Sequence, residues 1–195
     1  MTRLPIIPTV LVVAAAAVMV ALGIWQLGRA DEKAALIERY SRAGQLTAPV
    51  PFPRNQREIA DRLYRYSQFR CSEVVSQTTK AAQNRSGRSG IGLVAVCGDG
   101  DSQTDVVLGW RQEPKLVEFE GGVIEGWLSP LGEGVQLVAD PAVAGLEPVR
   151  RPDPANLPNN HLAYAGQWFF FALTALVIYF LALSRRRRER SPAPK

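Results

Sequence analysis

The sequence predicts a membrane protein in which two transmembrane α-helices flank one mainly antiparallel β domain, either a small barrel or a sandwich. Two runs, residues 4–24 and 162–183, contain no charged residue. Each is as long as the ~20 helical residues that cross a hydrocarbon core of ~30 Å. Both runs are apolar all round, as expected of helices in lipid, where each backbone group must be paired within the helix. Short alternating segments between them predict the β domain.

Other interpretations of the two runs have less support. A cleaved signal peptide carries a shorter apolar run, of about 7–15 residues, and a small-residue cleavage site; the first run shows neither. A buried helix of a soluble protein is the alternative for the second run. The arginine cluster directly behind that run favours a membrane span instead.

The charge distribution predicts the topology. The net charge is +5, yet acidic and basic residues are almost equal in number between residues 28 and 160, so the excess lies in the tails. The run RRRRER at 185–190 is a positive-inside signal rather than a nucleic-acid patch. We therefore expect no nucleic-acid partner, cytoplasmic segments at 1–3 and 184–195, transmembrane helices at 4–27 and 161–183, and an extracytoplasmic β-rich domain at 28–160.

The compartment of the middle domain follows from this orientation. The domain is periplasmic if the membrane is a bacterial inner membrane, and it faces the intermembrane space if the membrane is mitochondrial. No Arg-rich transit segment precedes the first run, which favours the bacterial inner membrane. Two cysteines, Cys71 and Cys97, fall in this exported domain, where disulfides are permitted. Their spacing leaves a disulfide and two buried thiols as alternatives.

Within the middle domain the pattern predicts a helical start followed by strands. Good helix formers at 30–40 extend the first helix, and three prolines at 47–54 break it. Residues 77–90, which are polar and end in Gly and Ser, predict a loop. Alternating or β-branched segments predict strands at 63–71, 91–97, 105–110, 117–127 and 135–139.

The chain has one histidine, His161, and this excludes most enzyme classes. A metal site built from two or three histidines is impossible within one chain. No GxSxG motif accompanies the imidazole, and no phosphate-binding Gly-rich loop is present. The two cysteines are not spaced as CxxC, so they form no redox motif. We therefore predict no catalytic residues and no enzymatic activity.

His161 stands one residue before the second run and shares a helix face with Tyr164 and Trp168, at the i, i+3, i+7 spacing. An imidazole above two aromatic rings suits a haem, whose iron takes a histidine ligand. The alternative is an aromatic belt at the membrane interface, where Tyr and Trp are enriched in any case. The spacing alone leaves both interpretations open.

The end of the first span carries a polar face formed by Gln26, Arg29 and Lys33, beside Trp25. One interpretation is an interface anchor, with the tryptophan at headgroup level and the cations reaching the lipid headgroups. The other is a face that docks a partner membrane protein or a haem propionate, since arginine and lysine bind carboxylates.

Both junctions resemble the signatures of one known family, the Surfeit locus protein family, in its first member. Residues 23–29 read G-I-W-Q-L-G-R and are followed by Lys33, similar to the family's G-x-W-Q-x-x-R-x-x-x-K. Residues 157–169 read L-P-N-N-H-L-A-Y-A-G-Q-W-F, similar to the family's P-N-N-H-x-x-Y-A-x-x-W-F. The middle of the chain matches less closely: a Gly-Trp pair is kept, but Leu108 stands where the family carries an arginine.

The resemblance, which is to the bacterial type, implies an assembly factor for haem-copper cytochrome c oxidase. It implies that the protein helps to insert haem a into subunit I and binds haem a transiently, with His161 as the ligand of the iron. The implied partners are oxidase subunit I, haem A synthase and the lipid bilayer. The residues that would pack against the ring, complete the pocket or contact a partner are Tyr164, Trp168, Trp25, Gln26 and Arg29.

Three rival functions stay open. A scaffold would hold subunit I and haem A synthase together without binding haem. A hydrolase would keep its activity without His161. A general envelope protein would leave the oxidase intact when the protein is deleted.

Overall fold

The computed structural model describes residues 5–100 and 102–189. The predicted cytoplasmic segment at 1–3 and the end of the basic tail lie outside the described residues. The chain divides into two compact units. We call them the helical unit, which is Met1–Leu36 with Pro158–Lys195, and the β unit, which is Ile37–Leu157.

The described residues form three α-helices, namely α1 (Ile6–Ala43), the short α2 (Gln56–Arg62) and α3 (His161–Glu189). At 1.5 Å per residue the 38 residues of α1 extend about 57 Å, so the first span and the helix predicted at 30–40 are one continuous helix. Pro8 is tolerated because N–H groups in the first turn have no intrahelical acceptor.

The predicted fold class is confirmed. The helix Ile6–Ala43 and the stretch Pro154–Arg186 are each long and apolar enough to cross a membrane. A domain built on a seven-stranded sheet lies between them in the sequence. The structure is therefore consistent with two membrane spans around a β domain.

Within the helical unit, α1 and α3 meet along a line of small residues, which we call the seam. Its members recur every seven residues, a spacing that keeps them on one face of each helix. They are Ala16, Gly23 and Ala30 on α1 and Ala165 and Ala172 on α3, all buried. Small residues at such a contact let membrane helices pack closely, and close packing holds helices together in lipid alongside interhelical hydrogen bonds.

The β unit contains seven strands in one mixed sheet, in the order β1-β2-β6-β7-β5-β4-β3. Most neighbours are antiparallel, as predicted, but β1 with β2 and β5 with β7 are parallel. The strands are β1 (Val50–Pro51), β2 (Tyr66–Cys71), β3 (Glu73–Gln83), β4 (Ser89–Asp99), β5 (Ser102–Arg111), β6 (Gly122–Leu131) and β7 (Gly134–Ala139).

The sheet closes on itself because β2 and β3 form one bent strand. Only Ser72 separates them, although β2 lies beside β6 and β3 lies at the far edge of the sheet. A residue spans at most about 3.6 Å, so the two sides of the sheet have to meet at this point. The backbone N–H of Ser72 donates to the carbonyl of Gly98 at 3.0 Å. Of the two predicted architectures, the arrangement is therefore that of a small barrel.

The barrel core fixes the state of the two cysteines. Cys71 at the end of β2 and Cys97 on β4 are joined in a disulfide with a Cα–Cα distance of 5.0 Å. Both lie in the buried apolar cluster that β2, β4, β5, β6 and β7 share. The disulfide therefore joins two strands that are not neighbours in the sheet order and that come together where the barrel closes.

The prediction of a loop at 77–90 is wrong. β3 and β4 occupy most of it, and a short turn joins them through a hydrogen bond from the N–H of Asn84 to the carbonyl of Arg88 at 3.1 Å. β3 is the last strand in the sheet order, and all of its side chains are exposed or half-buried. Polar residues are therefore tolerated on both of its faces, and the alternating pattern that marks a strand is hidden.

Two strands begin later than predicted. The strand predicted at 63–71 begins at Tyr66, because α2 ends at Arg62 and a turn follows it, in which Tyr64 has a φ of +63°. Asn55 is the N-cap of α2, because its Oδ1 accepts the N–H of Glu58 at 2.9 Å, and the sequence shows this cap as N-x-x-E. The strand predicted at 117–127 begins only at Gly122, where φ is +124°.

Removing the disulfide should destabilise the β unit by about 3 kcal/mol, because a cross-link over 26 residues restricts the unfolded chain by that order. The double variant Cys71→Ala/Cys97→Ala, as the full chain in detergent, should unfold at a lower urea concentration when followed by tryptophan fluorescence. A reductant should lower the free energy of unfolding of the wild-type chain to about that of the double variant. It should leave the stability of the double variant unchanged. Equal stability of the two oxidised chains would contradict the prediction.

Candidate functional site

The two junctions singled out in the sequence meet in the helical unit. α3 begins at His161, and the carbonyl of Asn160 accepts the N–H of Tyr164 at 3.2 Å, which forms the first turn. His161 Nδ1 lies 2.7 Å from Oε1 of Gln26, on α1. The hydrogen bond joins residues 135 positions apart in the chain, and both side chains are half-buried.

Asn159 forms a second link between the same segments. Its Nδ2 donates to the carbonyl of Ala30 at 3.3 Å, one helical turn beyond Gln26. Its Oδ1 is buried and has no hydrogen-bond partner in the described part of the chain. The sequence patterns predict no function for this asparagine. It does belong to the P-N-N-H motif, and that motif is the signal by which its role could have been predicted.

A third contact lies one turn before Gln26. A Cβ placed on Gly23 would come within 2.6 Å of Cε1 of Phe169, so the aromatic ring of α3 packs directly on the glycine backbone. At the other end of α1, the hydroxyl groups of Thr9 and Tyr179 are hydrogen-bonded. The position of Gln26 is thus fixed by contacts on both sides along α1.

The other predicted site residues lie near this junction with different degrees of exposure. Trp168 is half-buried, and its ring lies edge-on to that of Phe171, with the two ring centroids 6.3 Å apart. Tyr164 is 48% exposed and Trp25 is 57% exposed. Arg29 forms an ion pair with Glu32 one turn further along α1. The structure therefore brings Gln26 and His161 into direct contact, and the functions of the remaining residues stay predictions.

A metal at His161 would need ligands from outside the chain. Within residues 5–100 and 102–189, no three His, Cys, Asp or Glu side chains are grouped so that they could hold a metal ion. A metal that brings its own ligand set, as a porphyrin does, needs only one protein nitrogen.

The β unit has a cleft of about 600 Å³ between the outer surface of the barrel and residues 150–153. Lys80, Arg150 and Arg151 line it, so we call it the cationic cleft. The ammonium group of Lys80 donates to Oε1 of Gln136. Burial lowers the pKa of Lys80 from its ordinary value, an effect that Asp105 partly opposes.

The chain belongs to the SURF1 family, because the model of that family matches residues 13–173, most of the sequence. The match includes Gln26, His161 and both junctions, so the resemblance seen in the two motifs is confirmed. This is a family of assembly factors associated with cytochrome oxidase assembly, and it is not a known class of enzymes. No curated protein matches the chain.

Replacing Gly23 by Leu should weaken the pairing of α1 and α3 by about 1–3 kcal/mol, because the side chain would overlap the ring of Phe169. The melting temperature of the protein in detergent should fall. Gly28→Leu is the matched control, since a Cβ there meets nothing within 4 Å. A Gly23→Leu variant as stable as Gly28→Leu would contradict the packing.

The β unit should gain stability as pH rises toward the ordinary lysine pKa of 10.5. Between the lowered pKa of folded Lys80 and 10.5, the unfolded chain binds more protons than the folded one, so the free energy of unfolding increases with pH. Lys80→Met should flatten this increase in urea unfolding of the full chain. Lys115→Met, at an exposed lysine, should retain it, and an unaltered slope in Lys80→Met would exclude the effect.

Proposed function

We propose that the protein assists the insertion of haem a into subunit I of cytochrome c oxidase, and that it holds haem a transiently through His161. The observation that carries the proposal is the hydrogen bond between His161 Nδ1 and Gln26 Oε1. It engages one nitrogen of the only imidazole in the chain and leaves Nε2 for a ligand.

The residues at the junction fit a haem by their chemistry. The iron of a bound haem accepts a neutral imidazole nitrogen as an axial ligand. His161 offers one such nitrogen at the start of an apolar helix, and the aromatic side chains of Tyr164 and Trp168 follow on the same helix face. Arg29, one turn from Gln26, supplies a cation that suits a propionate.

Binding through one protein ligand is consistent with transfer. A second axial histidine would hold the iron more firmly, and the chain has no second histidine to offer.

The large exposed apolar surface of α3 around Phe170 and Leu173 is suited to lipid or to another membrane helix. Because the family is associated with cytochrome oxidase assembly, we propose oxidase subunit I and haem A synthase as the partners.

The proposed location is the bacterial inner membrane, with both termini cytoplasmic and the β unit periplasmic. The arginines that follow the second span favour the cytoplasmic side for the C-terminus. The disulfide between Cys71 and Cys97 supports an oxidising compartment for the β unit, since disulfides persist in the periplasm and are rare in the cytosol.

His161→Ala should abolish haem binding, because Nε2 is the proposed axial ligand. The measurement is the optical spectrum of the full-length protein purified in detergent from cells that make haem a, normalised to protein. Leu162→Ala, at the next position and 63% exposed, is the control and should keep wild-type haem content.

Unchanged haem content in His161→Ala would exclude this histidine as the ligand. Absence of haem from the wild-type protein, together with co-purification of subunit I and haem A synthase, would favour a scaffold that holds the two together without binding haem. The presence of haem in the wild type and its loss in His161→Ala alone would support the proposed function.

A further inference from the structure

We propose that Gln26 is a positioning residue for His161: it holds the imidazole as the Nδ1–H tautomer and makes Nε2 the coordinating atom. This inference rests on the proposed function, since it concerns how the same histidine binds haem. The function of Gln26 would be exerted through the imidazole, without contact to the iron.

The tautomer follows from the chemistry of the contact. The amide oxygen of Gln26 can only accept a hydrogen bond, so the proton between the two atoms, 2.7 Å apart, belongs to His161 Nδ1. A neutral imidazole carries one N–H, and its other nitrogen then presents a lone pair. Metal-binding histidines usually donate their second N–H to a carboxylate, a backbone carbonyl or water, which fixes the ring orientation.

The surroundings of Gln26 hold its amide where this hydrogen bond needs it. Gly23, one turn before it, packs against the ring of Phe169. Ala30, one turn after it, is buried, and its carbonyl accepts from Asn159, two residues before His161. α1 is thus fixed against α3 on both sides of Gln26, so the acceptor is preorganised by the helix pairing.

The strength of the hydrogen-bond acceptor on Nδ1–H sets how basic the other ring nitrogen, Nε2, is as a ligand. A neutral amide oxygen accepts more weakly than a carboxylate, and hydrogen bonds to charged acceptors are roughly twice as strong as neutral ones. A stronger acceptor on Nδ1–H makes Nε2 a stronger ligand. Gln26 therefore gives an axial ligand of fixed orientation and moderate strength, which suits a haem that has to be released.

The tautomer is measurable without haem. In ¹⁵N NMR of the haem-free full chain in detergent, at a pH where the imidazole is neutral, His161 gives the only histidine ring signals. We expect the Nδ1–H form in the wild type and a shift to the Nε2–H form or a mixture in Gln26→Leu. Gln167→Leu, at an exposed glutamine of α3, is the control and should keep the wild-type tautomer. A wild-type Nε2–H form, or the same tautomer in Gln26→Leu, would overturn the inference.

Measurements of haem binding distinguish a positioning role of Gln26 from a merely structural one. Gln26→Leu should weaken haem affinity by about 10–100-fold, the usual effect of losing a partner of a ligating histidine. Gln26→Glu should bind haem at least as tightly as the wild type and lower its midpoint potential, because a carboxylate strengthens the ligand. A general loss of helix pairing would weaken haem binding in both variants and would overturn the inference.

The two proposals fail in different ways. If His161→Ala keeps its haem, the proposed function fails, whatever tautomer the haem-free protein shows. If His161→Ala loses haem while Gln26→Leu keeps wild-type affinity and tautomer, the function stands and the positioning role of Gln26 is wrong.

Discussion

The candidate site depends on the pairing of α1 and α3 within the helical unit. In lipid, apolar burial gives no attraction between helices, so pairing rests on close packing and on hydrogen bonds between helices. The seam of alanine and glycine supplies the packing. Hydrogen bonds lie toward both ends of the pair, between Thr9 and Tyr179 at one end and at Gln26 and Asn159 at the other. The site residues are therefore part of what holds the helices together.

The β unit is stabilised by a different constraint. A single residue, Ser72, connects strands on opposite sides of one sheet, and the sheet has to curl until these sides meet. The enclosed core is then filled by apolar side chains and closed by the disulfide between Cys71 and Cys97. Leu108 lies fully buried in this core, so an apolar residue suits this position of β5.

Much of the fold was predictable because lipid constrains composition strongly. Uncharged runs defined both spans, and the two junction motifs pointed to the family. Periodicity could not show the contact of Gln26 with His161, since it joins segments 135 positions apart and depends on how the helices pack. The same applies to the disulfide, which depends on barrel closure. β3 was missed because none of its side chains is fully buried, so polar residues stand on both of its faces and no alternating pattern appears.

The distance in sequence between the two halves of the site has a consequence for biogenesis. Gln26 lies on α1 and His161 on α3, which is synthesised later, so the junction cannot exist until α3 has been made and has packed against α1. A nascent or truncated chain that lacks α3 has neither the imidazole nor the partner face for α1. Only a molecule that contains both helices, packed together, therefore presents the assembled junction to a ligand or a partner.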